Sequence, residues 1–307
     1  MLTNQASRAA DFPANWRTAE RERTLTFDLN SKITGQKYRI LIGLPAHAAP
    51  KDGYPVLWAL DGLASFPIIE TVRPQIGGDQ RLWRQGRTPN DGLIVAVAYA
   101  SGKPFDIDAR SQDYTPVTTA KTGDLLSSKH GGADDFLRFL ISELRPLIAQ
   151  QFAINPQQQT LFGFSYGGLF ALYTLSTQPQ YFQRYWAASP SLWFGEAQTL
   201  KRLPEQLTKL ETMNLAGYSA KVTITVGLDE QYPSQFSSPF VEAKSGERAM
   251  VDNAQAFAQQ LASYNDGAKF DVSFDCLPAH DHMDMLLHGA RRVVDFAFSA
   301  PVSTSEH

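Results

Sequence analysis

Along the chain, short runs in which nearly every residue is apolar alternate with longer stretches whose apolar residues recur at intervals of three and four. Two early segments, Arg23–Asn30 and Tyr38–Leu44, alternate apolar and polar positions around a short Ser/Gly-containing turn, which predicts an antiparallel hairpin. Apolar runs follow at Tyr54–Leu60, Gly92–Tyr99, Gln159–Phe164, Tyr185–Ala188, Val222–Val226 and Phe270–Phe274. Several of these lack polar alternation, as expected of strands buried on both faces of a parallel sheet. Helical spacing occupies Asp134–Phe152, Gly167–Leu175, Ala197–Leu210, Glu247–Tyr264 and Met283–Phe298. Strands and helices alternate with no linker between them, so a single α/β domain is expected over 21–300. Residues 1–20 would then form an N-terminal extension and 301–307 a frayed tail.

The hairpin and the six later strands make eight, and a glycine-rich turn carrying a serine follows the fifth. That order predicts the α/β-hydrolase fold, a mostly parallel eight-stranded sheet flanked by helices. The turn reads Gly163-Phe164-Ser165-Tyr166-Gly167-Gly168 and fits G-x-S-x-G between an apolar strand and a helical run. In this motif a strained strand-to-helix turn lifts the serine hydroxyl into solvent, and flanking glycines keep side chains off the neighbouring elements.

A serine hydroxyl is too weakly acidic to attack an ester unaided, so a base and its orienting acid should follow in chain order Ser, acid, His. Beyond Ser165 lie His280, His282, His288 and His307. His280 and His282 stand directly after the last strand, where a catalytic loop belongs, with His282 the preferred base and His280 its rival. His288 falls within a helical run and reads as structural. After the strand Val222–Val226, Asp229 and Glu230 are the candidate acids, Glu230 preferred, and capping of the loop is the alternative role for both. An oxyanion hole needs two backbone N–H groups, one expected from Tyr166 and the other from Gly62 or Leu63. Asp61, before that glycine, is expected to brace the loop. Arg110 follows the fourth strand and suits an anionic or catecholate substrate through its planar fork, or else a salt bridge with Asp113. Trp193 offers an aromatic wall or a packing contact.

Composition narrows the classes further. The chain has 307 residues, 43% of them hydrophobic, and a net charge of −3, which argues against a nucleic-acid-binding surface. Its one cysteine, Cys276, makes no internal disulfide and reads as a buried small hydrophobe. No run reaches the roughly 20 apolar residues of a membrane helix. The polar start, Met1–Asp11, lacks the apolar core of a secretory signal. A cytoplasmic location is therefore expected, with the periplasm as the alternative if an export signal has been removed. No phosphate-binding glycine loop is present, and His280-x-His282 finds no further histidine at ligand spacing, so neither cofactor nor metal is expected.

The segments Tyr54–Leu57, Leu60-Asp61-Gly62, Arg110-x-x-Asp113-Tyr114-Thr115-Pro116 and Gly131–Phe136 resemble the esterase-D-like branch of the α/β hydrolases. Gly163–Phe170 and Ala188-Ser189-Pro190-Ser191-Leu192 continue the resemblance in order, and it spans Arg39 to Phe296. Within that branch the chain looks most like the bacterial enterobactin and salmochelin trilactone esterases. The resemblance implies Ser165 as nucleophile, His282 as base and Arg110 as a siderophore contact. The implied substrate is a small-molecule ester, with a ferric siderophore among the candidates. The alternatives are a general carboxylesterase or thioesterase, similar to S-formylglutathione hydrolase, and a hydrolase-fold binding protein without the reaction.

Overall fold

The computed structural model describes residues 21–73, 91–213, 215, 217–233, 245–264 and 269–299. The expected extension 1–20 and tail 301–307 lie outside the described residues. Eight strands form one sheet: β1 (Thr24–Asn30), β2 (Lys37–Gly43), β3 (Tyr54–Ala59), β4 (Leu93–Tyr99), β5 (Ile154–Phe164), β6 (Arg184–Ala188), β7 (Ser219–Gly227) and β8 (Lys269–Leu277). Their spatial order is β1-β2-β4-β3-β5-β6-β7-β8. The pairs β1/β2 and β2/β4 are antiparallel, and every other pair is parallel. This is the α/β-hydrolase arrangement expected from the strand count and the place of the serine turn.

Burial follows the side-chain pattern. Every residue of β4, Leu-Ile-Val-Ala-Val-Ala-Tyr, is buried, because helices cover both faces there. The polar–apolar alternation of β1 matches its place at the sheet edge, with one face wet. Alternate strand residues feed two cores. Leu57, Ile94, Phe162 and Trp186 point to the face covered by α1 (Gly62–Val72) and α10 (His282–Phe298). Val56, Trp58, Val95, Leu161 and Tyr185 point to the other. That second face is covered by α2 (Ile107–Tyr114), α3 (Ala133–Phe139), α4 (Arg145–Gln151), α5 (Tyr166–Thr177), α6 (Phe194–Lys201) and α7 (Leu203–Thr212). A short α8 (Ser245–Arg248) leads into α9 (Met250–Ala262), which also packs there. Each large apolar side chain taken wholly from water contributes ~1.5–3 kcal/mol.

Three long helical runs differ in detail from expectation. The run Asp134–Phe152 contains a π-turn at Leu140–Leu144, just before Pro146, which has no N–H to give the ladder. The run Ala197–Leu210 divides at Arg202, ahead of Pro204. The run Glu247–Tyr264 divides at Ala249, which takes a left-handed conformation with φ 45°. Cys276 is only partly buried, because β8 forms the far edge of the sheet. No helix among the described residues is long and apolar enough to cross a membrane.

Candidate active site

Ser165 sits between β5 and α5 with φ 59° and ψ −118°, a strained backbone for a non-glycine residue. From Leu161 to Leu172 it alone is not fully buried. The bend is so tight that a Cβ on Gly163 would lie 2.0 Å from the Gly167 carbonyl oxygen, so only glycine fits. One on Gly168 would meet the Ala188 carbonyl oxygen at 3.0 Å and Pro190 Cα at 3.1 Å. The elbow is thus pressed against the turn that follows β6. Ser165 N–H donates to Ala188 O at 2.9 Å, and Ser191 N–H donates to Ser165 O at 3.2 Å. The hydroxyls of Ser165 and Ser191 face each other at 3.3 Å.

Glu230 ends a short 3₁₀ turn after β7, and His282 is the first residue of α10. Asp281 caps that helix: its side chain accepts from Met283 N and Asp284 N, while Asp284 accepts from Asp281 N at 2.9 Å. This capping box fixes where the imidazole enters. His282 Nδ1 and Glu230 Oε2 are 2.5 Å apart. The Glu230 side chain is 2% exposed and that of His282 41%. The ring of His282 packs on Phe164, the neighbour of Ser165, with centroids 4.6 Å apart. His280 instead turns its Nδ1 to Pro278 O at 2.8 Å. His288 packs near Trp186, consistent with a structural place.

Gly62 and Leu63 open α1, and Tyr166 opens α5, so their N–H groups belong to first turns that have no intrahelical acceptor. The two helix starts are neighbours: a Cβ on Gly167 would lie 3.5 Å from the Leu60 side chain and 3.6 Å from Asp61 Oδ2. Gly62 itself lies against β4, where a Cβ would come within 3.1 Å of the backbone of Ala96.

Of the two roles expected for Arg110, the salt bridge with Asp113 is not formed. Arg110, 6% exposed, pairs with Asp61 instead, Nε to Oδ1 at 3.0 Å and Nη2 to Oδ2 at 2.9 Å. Nη2 also donates to Phe164 O at 3.2 Å. Burial is the largest influence on Arg110 and lowers its pKa, but the Asp61 charge, the hydrogen bonds to Asp61 and the neighbouring Tyr114 and Tyr99 together raise it. The guanidinium lies near the rings of Phe105, Tyr114 and Tyr166, 5.4, 5.7 and 5.5 Å from their centroids. Among the described residues its Nη1 has no hydrogen-bond partner. The Asp61 carboxylate therefore braces Arg110, and against expectation it makes no capping hydrogen bond to its own loop. Asp113 instead accepts from Tyr38 and Tyr99 hydroxyls at 2.7 and 3.1 Å. Two strand tyrosines outcompete a local i,i+3 ion pair, whose worth is only ~0.2–0.5 kcal/mol.

Trp193 is partly exposed, 5.8 Å from the Tyr166 ring and overlaid by the Arg248 guanidinium at 4.2 Å. Ser189 and Ser191 have no role assigned from the sequence alone. Their one signal there is a pair of serines flanking a proline immediately after a buried strand. Among the described residues no three His, Cys, Asp or Glu side chains converge to hold a metal ion.

Residues 31–275 match a family model described as "Putative esterase". The apo-salmochelin esterase of Escherichia coli O6:H1 is 36% identical over 170 residues, 54% of this chain and 50% of that protein. The ferri-bacillibactin esterase BesA of Bacillus subtilis is 36% identical over 180 residues, 57% of this chain and 60% of that protein. The chain thus spans half of the first relative's length and 60% of the second's. The siderophore triacetylfusarinine C esterase of Aspergillus fumigatus is 32% identical over 237 residues, covering 72% of this chain and 75% of that one. Among solved structures, the BES protein from Bacillus cereus superimposes with a TM-score of 0.74 at 28% identity, over 94% of this chain and all of that one.

Proposed function

We propose that this chain, which belongs to the esterase family, is a serine hydrolase that cleaves the ester bonds of siderophores through an acyl-enzyme. The observation that carries the reading is the 2.5 Å Glu230–His282 contact beside the Ser165 elbow, because it supplies an oriented base where a weak nucleophile needs one. The names of the relatives, siderophore esterases of bacteria and a fungus, support the substrate class.

In this mechanism the Ser165 hydroxyl swings from Ser191 toward His282 and gives up its proton to the imidazole as Oγ attacks the carbonyl carbon. Tyr166 N–H and the N–H of Gly62 or Leu63 receive the developing oxyanion, where fixed donors act without reorganising. Glu230 holds the imidazole tautomer and stabilises the imidazolium. His282 then protonates the departing alkoxide, and water repeats the sequence to release the acid. Arg110 offers Nη1 to an anionic ligand, while Asp61 keeps the rest of its fork occupied. Trp193 and Tyr166 supply aromatic surface beside it.

Mass-resolved hydrolysis of apo- and ferric-enterobactin by the wild type and by Ser165→Ala tests this. Linear trimer, dimer and monomer should appear only with the wild type. An intact ring, with turnover of a short aryl ester retained, would discard the siderophore and leave a general carboxylesterase.

A further inference from the structure

The triad acid is held from a place that the mechanism has not used. Glu230 is buried, and its two carboxylate oxygens have divided partners. Oε2 meets His282 Nδ1. Oε1 accepts the Ser189 hydroxyl at 2.5 Å and the Gly227 N–H at 2.8 Å. Ser189 is wholly buried, has φ 43°, and donates its own N–H to Thr225 O at 2.7 Å. A left-handed backbone at a buried serine is costly, and glycine would occupy it with less strain. A hydroxyl kept at that cost, and aimed at a carboxylate, points to work beyond packing. The turn also reaches the nucleophile through Ser191, so β6 ends in a short piece of chain that touches both ends of the triad.

We propose that Ser189 is a positioning residue: by anchoring Oε1 it turns Oε2 toward His282 and holds the imidazole in line for Ser165. The inference rests on the assignment of Ser165, His282 and Glu230 as the triad. Charge-assisted hydrogen bonds of this type are short and strong, and a rotated carboxylate would present the wrong edge to the ring. Among the described residues, His282 from α10 and Cys276 from β8 face Glu230, with Asp229 its chain neighbour. Burial first, and the Glu230 charge second, push the Cys276 thiol up.

The test uses the full chain with Ser189→Ala and Ser189→Gly, assayed on p-nitrophenyl acetate from pH 5 to 9, with thermal unfolding alongside. Both variants should lose ~10- to 100-fold in kcat at unchanged KM. The acid limb of the kcat/KM profile should move by about half a pH unit or more, since the charge facing the base is redistributed. Ser189→Gly should unfold no earlier than Ser189→Ala, because it relieves the backbone. A Ser189→Gly protein with wild-type kcat and an unmoved pH profile would overturn the proposal, whatever its unfolding temperature. If the glycine variant does not fold, Ser189→Ala decides the question by the same two readouts. Ser165→Ala and Glu230→Gln serve as controls. Turnover that survives Ser165→Ala overturns the triad itself. A loss in Glu230→Gln with none in either Ser189 variant overturns only the role of Ser189.

Discussion

Arg110 and Asp61 meet side-on, with two nearly parallel hydrogen bonds of 3.0 and 2.9 Å, in a place where neither side chain is more than 8% exposed. They join α2 to the start of α1, and a third bond from Arg110 to Phe164 O reaches the end of β5. Arg110→Ala leaves the Asp61 charge buried without its partner and is expected to destabilise the fold by ~3–5 kcal/mol. Urea denaturation measures this. Removing both charges, as Asp61→Asn with Arg110→Met, should cost less than the sum of the two single changes. Additive costs would show the pair to be uncoupled.

The backbone of Ser165 predicts a trade between stability and turnover. With φ 59°, the residue occupies a region that glycine enters freely. Ser165→Gly should raise the unfolding free energy by about 1 kcal/mol while abolishing labelling by a fluorophosphonate. A destabilised variant would mean that the Ser165–Ser191 contact outweighs the strain.

Glu230→Gln keeps the shape of the acid but gives His282 an amide that can donate to Nδ1, which favours the wrong tautomer. A loss of up to ~10,000-fold in kcat with little change in KM is expected. Steady-state kinetics on a short aryl ester decide it, and a loss under tenfold would point to a Ser–His dyad.

Asp113 gives a pH-dependent stability. Burial pushes its carboxyl up to about 7, against the pull of hydrogen bonds from Tyr38 and Tyr99. The folded value lies above the unfolded one, so the contribution is fully present below about pH 4 and is lost as pH rises through about 7. Urea unfolding at pH 5 and pH 8 should show a fall on the order of a few kcal/mol in the wild type. Asp113→Asn, which can still accept from both tyrosines, should flatten that difference.

The sheet is legible in the sequence because β4, the second half of β5 and most of β6 are apolar on both faces, and because Gly163 in the elbow is required sterically. Two helices, α1 and α2, are not. α1 is apolar nearly all round and carries Pro67, so no amphipathic stripe marks it. α2, Ile-Asp-Ala-Arg-Ser-Gln-Asp-Tyr, is mostly polar, yet it buries Arg110, Asp113 and Tyr114 against partners supplied by distant strands and loops. Local spacing suggests Arg110 with Asp113, but only the tertiary fold can deliver Asp61 to one and Tyr38 to the other. Between Glu230 and Asp229 the sequence offers no more than a preference. In the fold the choice is decided by which carboxylate reaches Nδ1.

During synthesis, the nucleophile leaves the ribosome with β5, the acid follows with β7, and His282 emerges only at the head of α10. Until that helix docks, the growing chain has Ser165 without its proposed base. The part of the sheet that α10 covers, bearing Phe162 and Trp186, also stays bare. One docking event therefore joins the proposed base to its serine and covers Phe162 and Trp186. A polypeptide that ends before α10 would lack both the proposed base and the cover over Phe162 and Trp186.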